Sequence, residues 1–196
     1  MSETLDIDAT CTSFDAARVL LHEMLVAIAV GGAVLAATYA ALEQGLRTHA
    51  IGAARVESQQ SARAALNRLA REIRFTGISS TPDLPAIVIA EPSRIVLASD
   101  FDGDGASLGR GEQITWQLVG SVLRRNGGTG AGAQPVTNGV RAFDLRYFDV
   151  DGMPTTDVTA VRMVEIALVT VPAGPPSSLA QGVSTHVATK VRLRNR

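Results

Sequence analysis

Residues 20–30 read Leu-Leu-His-Glu-Met-Leu-Val-Ala-Ile-Ala-Val, so that one acid, Glu23, stands at the head of a long apolar run. The 19 residues from Met24 to Leu42 carry no formal charge. At about 1.5 Å per residue, a helix of that length spans roughly 28 Å, which is close to the thickness of a bilayer's hydrocarbon core. The sequence therefore predicts a membrane-spanning helix over residues 19–42.

Glu23 is the first candidate functional residue. A carboxylate within or at the edge of a membrane helix costs about 2.5–3.5 kcal/mol on insertion scales, so it needs a partner or a function. The 18 residues before the apolar run contain Glu3, Asp6, Asp8 and Asp15 but only one base. This acidic segment, residues 1–18, is predicted to be a leader and lacks the basic start of a secretory signal peptide.

The helix is predicted to continue beyond the membrane. No proline occurs between Val19 and Phe75, and Thr76-Gly77 supplies a stop signal, because glycine suits the left-handed position after a helix end. Residues 43–77 are predicted to be amphipathic. One face carries apolar residues and the other polar ones: Ala62, Leu66, Leu69 and Ile73 against Gln60, Arg63, Asn67, Arg71 and Arg74.

After the helix, the hydrophobic period changes to two, which is typical of strands. Residues 78–196 are predicted to form a globular, β-rich domain, with a glycine-rich loop at Asn126–Pro135. A long helix followed by a mainly antiparallel sheet is an α+β fold. The predicted strands are Ala86–Ala90, Arg94–Ser99, Gln113–Leu118, Val122–Arg125, Arg141–Phe148, Val161–Val171 and Thr185–Arg194.

Composition excludes several classes of function. The net charge of −1 argues against general nucleic-acid binding. The single cysteine, Cys11, lies in the leader, so the globular part has no intrachain disulfide. No nucleophile elbow, paired metal-binding histidines or phosphate-binding loop is present, and we therefore expect neither an enzyme nor a small-molecule substrate.

Residues 23–29, Glu-Met-Leu-Val-Ala-Ile-Ala, resemble the N-terminal segment of type IV prepilins and pseudopilins. Four further stretches resemble PilW-type minor pilins and GspJ-type pseudopilins. They are the helix end over residues 61–77, the Asp-Phe-Asp-Gly-Asp-Gly run at 100–105, the strand pair around residues 114–116 and 123–125, and the terminal Val-Arg-Leu-Arg-Asn at 191–195. Together these matches span nearly the whole chain.

The resemblance implies a structural subunit that is stored in the inner membrane as a single-pass protein, with its C-terminal domain in the periplasm or outside. The subunit would then enter a filament of a type IV pilus or a type II secretion system. A prepilin peptidase would cut between Arg18 and Val19, and the new N-terminus would be methylated. Glu23 would neutralise the N-terminal amine of its own or a neighbouring subunit. The implied partners are other pilin or pseudopilin subunits, the peptidase and the inner membrane.

The chain departs from the family pattern at three points. Arg18 stands where the peptidase prefers glycine, and Val19 replaces the usual phenylalanine. Arg47, His49 and Arg55 follow the anchor, and by the positive-inside rule they favour a cytoplasmic C-terminus. The alternative hypothesis is therefore an uncleaved, signal-anchored periplasmic binding module that never polymerises, in a calcium-dependent or a calcium-independent form. A third hypothesis, a membrane-tethered hydrolase, has only scattered acids in its favour.

An acidic run offers the one candidate cofactor site. Asp100, Asp102, Asp104 and Gly105 match the first half of a calcium-binding loop, D-x-D-x-D-G. The twelfth position of that loop is a glycine, and Glu112 comes one residue late. Two interpretations follow: a calcium site formed by the three aspartates with Glu112, or a polar hairpin loop rich in Asx turns.

Overall fold

One helix and eight strands make up the described part of the chain. The computed structural model describes residues 6–79, 84–172 and 184–195. Helix α1 comprises Asp6–Phe75. The strands are β1 Ile87–Glu91, β2 Arg94–Ala98, β3 Gln113–Val119, β4 Val122–Asn126, β5 Gln134–Thr137, β6 Val140–Phe148, β7 Met163–Thr170 and β8 Thr185–Arg192. The chain divides into two compact units, Met1–Ala50 and Ile51–Arg196.

Helix α1 ends where the sequence predicted and begins earlier. It stops at Phe75, and Gly77 adopts a φ of +78°. A Cβ at Gly77 would lie 2.8 Å from the Cβ of Ala86, so a side chain is excluded there on two grounds. The helix begins at Asp6 rather than Val19, because no glycine precedes Gly31 and nothing in the leader breaks the helix. Residues 1–5 of the predicted leader lie outside the described residues.

In the first unit, the side chains of residues 18–50 lie uncovered on a helix. Every residue from 18 to 50 is exposed, including large apolar ones such as Leu25 and Leu35, at 58% and 71%. By length and hydropathy this helix is able to cross a membrane, and none of its apolar stretch is buried within the protein. Residues 18–50 therefore form apolar surface and are not part of the hydrophobic core.

In the second unit, the last part of α1 is amphipathic as predicted. Its buried face carries Ala62, Leu66, Leu69 and Ile73, the last of which is completely buried. The arginines predicted for the opposite face, Arg63, Arg71 and Arg74, are exposed. The apolar face joins a single core with residues from both sheets, among them Ile95, Trp116, Leu123, Val164, Ile166, Leu168 and Val191.

The strands form two antiparallel sheets where one was predicted. The first has the order β1-β2-β3-β4-β5 and the second β6-β7-β8, each strand pairing with its sequence neighbours. The predicted α+β class, a long helix packed on antiparallel strands, is confirmed. In β8 the predicted alternation also holds, with Val187, Thr189 and Val191 turned toward the core and Lys190 and Arg192 exposed.

Strand β5 lies partly inside the predicted glycine-rich loop. Its four residues include Pro135, which has no N–H to donate, and this made the segment look like a loop. The strand forms at the edge of the first sheet, pairing only with β4. A proline is tolerated at such a position because only one side of the strand is hydrogen-bonded. The β4–β5 register shifts between Leu123 and Arg124.

Candidate functional site

The three residues predicted for processing and assembly lie on the exposed helix of the first unit. Arg18, Val19 and Glu23 all have exposed side chains. His22 Nδ1 lies 3.1 Å from the carbonyl oxygen of Arg18, so the peptide bond at the predicted cut is within regular helix. Within the described part of the chain, the Glu23 carboxylate has no ion-pair partner. Val19 and Glu23 are four residues apart, which places them on one helix face.

The acidic run forms the loop between β2 and β3. Asp100 Oδ1 accepts a hydrogen bond from Gly103 N at 2.7 Å and Oδ2 accepts one from Gly105 N at 3.2 Å. Asp102 and Asp104 accept bonds from the N–H groups two residues later. Gly103 and Gly105 both have a φ of +81°, which permits the tight turns. This is the hairpin loop rich in Asx turns that was the second interpretation.

The Glu112 side chain lies inside that loop and holds its backbone in place by hydrogen bonds. The residue is buried, and its carboxylate accepts hydrogen bonds from three backbone amides: Gly109 N at 2.6 Å, Phe101 N at 2.8 Å and Asp102 N at 3.4 Å. Its backbone oxygen accepts a bond from Ser99 N at 2.9 Å. The one-residue offset from calcium-loop spacing does not keep Glu112 away, because the β2–β3 hairpin brings the two ends of the loop together.

Three of the four predicted calcium ligands are brought together. Oxygen atoms of Asp100, Asp102 and Glu112 lie within 4.8 Å of one another, and Asp104 is not part of that group. Carboxylate oxygens are the donors that Ca²⁺ prefers. In this structure, however, each of the three carboxylates accepts a hydrogen bond from a backbone N–H group of the loop. The loop is therefore held together by its own amides, and the calcium prediction stays a prediction.

A carboxylate that the sequence did not single out joins the helix to the first sheet. Glu72 Oε2 accepts a 2.6 Å hydrogen bond from Trp116 Nε1, and Oε1 accepts a 2.8 Å bond from Arg125 Nε. Arg68 Nε lies 3.4 Å from the same Oε1. Trp116 is completely buried. The sequence does contain an indication of this contact, because a buried indole N–H needs an acceptor and Trp116 is the chain's only tryptophan.

The helix end and the chain's last residues meet, although they lie far apart in the sequence. Thr76 Oγ1 lies 2.9 Å from the Ala98 oxygen and 3.0 Å from the Ala86 oxygen. Asn195 Nδ2 donates to the Thr76 carbonyl oxygen at 3.2 Å. Two of the stretches that carry the sequence resemblance thus form one contact, which fixes the end of α1 against β1, β2 and the C-terminal segment.

A buried hydroxyl links the two sheets. Tyr147 Oη donates a 2.8 Å hydrogen bond to the Glu91 carbonyl oxygen at the end of β1. Burial raises the pKa of the Tyr147 phenol above its ordinary value, and the nearby Glu91 charge adds to the increase. The phenol consequently stays protonated and keeps this hydrogen bond throughout the neutral range.

One groove on the second unit is lined by arginines. It runs between α1 and the edge strand β8, has a volume of about 480 Å³ and is termed here the arginine groove. Arg71, Arg74 and Asn67 supply its hydrogen-bond donors. The remaining lining residues are small: Ala64, Ala70 and Thr189.

Similarity to known proteins is found among solved structures. No protein-family model matches the chain, and no curated protein matches it. Among solved structures, the chain is similar to a type IV-like pilin, TTHA1219, from Thermus thermophilus, with 13% sequence identity and a TM-score of 0.44. That match covers 70% of this chain and 95% of the other. At this identity and TM-score the likeness carries no functional argument.

Proposed function

We propose that this chain is a structural subunit of the pilin or pseudopilin type, held in the inner membrane by residues 19–42 before it enters a filament. Its C-terminal domain would lie in the periplasm or outside. The filament would belong to a type IV pilus or a type II secretion-like system, in which the chain would be a minor component. Its partners would be other pilin-like subunits.

The observation that carries this proposal is the uncovered apolar surface of the first unit. Large side chains from Val19 to Leu46 are more than half exposed, with no residue of the described chain covering them. Burying one such side chain contributes about 1.5–3 kcal/mol, so this surface is stable only against lipid or against other apolar helices. A subunit that moves from a membrane into a helical bundle meets both requirements in turn.

Glu23 supplies the assembly function in this proposal. Cleavage between Arg18 and Val19 creates an amine four residues from Glu23, within reach on the same helix face. In a dry bundle an ammonium and a carboxylate stabilise each other, whereas either one alone is strongly unfavourable. Pairing with the amine of the same or a neighbouring subunit would therefore favour entry in the correct register.

Replacing Glu23 by alanine tests this assignment. The Glu23→Ala variant should insert into the membrane as well as the parent, since it removes a charge from the anchor, but should be lost from sheared filaments by tenfold or more, on the order of one missing charge pair. Glu43→Ala is the matched control, because Glu43 is an exposed acid of the same helix whose charge is paired with Arg47. Normal filament entry of Glu23→Ala would refute the assignment.

The N-terminal mass of the membrane-extracted protein tests the cut. An N-terminus at Val19, with or without a methyl group, supports the pilin-type function. An intact Met1 supports the alternative, an uncleaved anchor carrying a binding module. That alternative also predicts that millimolar Ca²⁺ raises the thermal stability of the second unit and that Asp100→Asn removes the increase. No change with Ca²⁺ would count against the calcium-dependent form.

A further inference from the structure

The arginine groove presents positive charge without a partner. Arg71 and Arg74 are exposed and form no ion pair with any residue in the described ranges. Between Ser58 and Phe75 the helix carries four arginines and one acid, Glu72, which already bonds Trp116 and Arg125. Like charges three residues apart on a helix repel each other, so this arrangement does not stabilise the fold. It is suited to an anionic partner.

The small residues that line the arginine groove indicate the shape of the side chain that fits it. Ala64, Ala70 and Thr189 are small, so they leave room for a bulky side chain between α1 and β8. Guanidinium groups also stack on aromatic rings. The best complement is therefore an aromatic residue flanked by carboxylates.

The β2–β3 loop of this same chain has that composition. Residue Phe101 is 63% exposed, and Asp102 and Asp104, which follow it, are also exposed. Each carboxylate uses Oδ1 for one backbone N–H, and the Oδ2 atoms accept no hydrogen bond from the residues that the structure describes.

Within one copy, the loop and the groove are separate. Phe101 and Glu112 line a different cleft of about 200 Å³, together with Glu72, Phe75 and Thr76. No residue of that cleft lines the arginine groove. The groove of one molecule can therefore be filled by this loop only if the loop belongs to another molecule.

We propose that the arginine groove of one copy receives the β2–β3 loop of a second copy. Phe101 packs on Ala64 and Thr189, while Asp102 and Asp104 pair with Arg71 and Arg74. Because the two surfaces differ, the contact is heterologous and needs only two neighbouring copies. The inference rests on the proposed function, since it identifies one contact between filament subunits.

A directed disulfide tests the contact in the full-length chain. Two differently tagged copies are expressed together, with Cys11→Ser in both. The groove copy carries Asn67→Cys and the loop copy carries Ala106→Cys. Oxidation of native membranes in the presence of EDTA, which removes any calcium effect on Asp102, should give a mixed-tag dimer about tenfold above the control pair Asn67→Cys and Asp151→Cys. Equal yields from the two pairs would overturn the proposal.

Charge reversal then tests the pairing itself. Arg71→Glu with Arg74→Glu in the groove copy should lower the dimer yield about tenfold, and so should Asp102→Lys with Asp104→Lys in the loop copy. Combining the two reversed copies should restore the yield to within about threefold of the parent. Arg141→Glu with Arg146→Glu, on exposed positions of β6, is the matched control and should change nothing. Fluorescence of the buried Trp116 verifies that each variant is folded.

The remaining outcomes separate this inference from its rivals. If the reversed groove loses binding to anionic phospholipid vesicles while the dimer yield is unchanged, the groove binds lipid and the docking proposal is wrong. If Glu23→Ala abolishes filaments while both charge reversals leave the yield unaltered, the proposed function stands and the docking contact fails. If the reversals abolish and restore the dimer while Glu23→Ala filaments are normal, the docking contact stands and the role of Glu23 fails.

Discussion

The two parts of α1 share a helical backbone but differ in amino-acid types and in surroundings. Residues 19–50 expose every side chain, including Leu25 at 58%, whereas between residues 62 and 73 Leu69 and Ile73 are 1% and 0% exposed. The second part has an apolar and a polar face, whereas the first contains the 19 residues from Met24 to Leu42 without a formal charge. The same helix thus carries one surface that the sheets cover and, over residues 19–50, one that none of the described residues cover.

Helix formation and helix stability therefore come from separate sources in α1. Neither part contains a proline, and both form regular helix. Packing stabilises the second part within the molecule, through one core shared with both sheets. Under the proposed function, the same free energy of burial becomes available to the first part on insertion or assembly. Substitutions in the two parts should therefore affect different measurements.

The largest expected effect comes from a pair of leucines. Leu69→Ala should lower the free energy of unfolding of the second unit by about 3 kcal/mol, because it removes buried methyl groups and leaves a cavity. Leu25→Ala should change that free energy by less than about 0.5 kcal/mol, since Leu25 touches no core. Denaturant titration in detergent, followed by Trp116 fluorescence, measures both. Equal effects would contradict the comparison.

A second pair compares two glutamate–arginine contacts. Glu72 is 16% exposed and joins Trp116 and Arg125, whereas the Glu43–Arg47 pair lies on the exposed helix with side chains 49% and 75% exposed. Glu72→Gln should cost about 1–3 kcal/mol, because two donors lose a charged acceptor in a largely buried place. Glu43→Gln should cost less than about 0.5 kcal/mol. The Trp116 fluorescence titration measures both losses in the free energy of unfolding. A larger loss for Glu43→Gln than for Glu72→Gln would contradict the argument that the buried contact contributes more.

Sequence reasoning was most successful where one strong period dominates. The amphipathic face with Leu69 and Ile73, the stop at Gly77 and the alternation of β8 depend on residue spacing alone, and the structure confirms each of them. Strand β5 was missed because Pro135 is a loop signal, and only its place at a sheet edge makes it tolerable. The division into two sheets depends on long-range pairing, which local patterns do not encode.

The candidate sites were predictable only in part, for the same reason. Glu23 stands out because its cost in an apolar run can be estimated from the sequence itself. Glu72 did not stand out, since its partners Trp116 and Arg125 lie 44 and 53 residues away. Glu112 was judged out of register by counting residues, although the β2–β3 hairpin brings it under Phe101. The number of residues between two positions gives the spacing of a loop. It does not show which side chains a hairpin turns inward.

An intermediate effect is expected at high pH from Tyr147. Its pKa is raised in the folded state by burial, so its contribution to stability is complete below the ordinary phenol pKa of about 10 and is lost as the pH rises toward the folded value. Above pH 10 the parent should therefore lose up to about 1.4 kcal/mol per pH unit more than Tyr147→Phe. At pH 7 the variant should be about 1 kcal/mol less stable, because it lacks the bond to Glu91.

Tyr39→Phe is the control for that measurement. Tyr39 is 70% exposed on the helix of the first unit, so its removal should leave the pH dependence of the second unit unchanged. A parent and a Tyr147→Phe variant with parallel stability curves between pH 9 and 11 would show that the phenol ionises equally in both states. That outcome would contradict the burial argument.

The smallest effect is expected at Asp157, where an exposed group lies within the packed unit. The Thr159 hydroxyl donates a 2.7 Å hydrogen bond to the Asp157 carboxylate, and this bond together with the Thr159 backbone N–H lowers the carboxyl pKa. A lowered pKa stabilises the fold above the ordinary value of about 3.9 and loses that contribution as the pH falls. Thr159→Ala should therefore raise the Asp157 pKa toward its ordinary value in an NMR titration. Thermal stability at pH 7 should not change measurably, because the group is solvated. A clear loss at pH 7 would mean that membership of the packed unit, rather than burial of the side chain, sets the cost of a substitution.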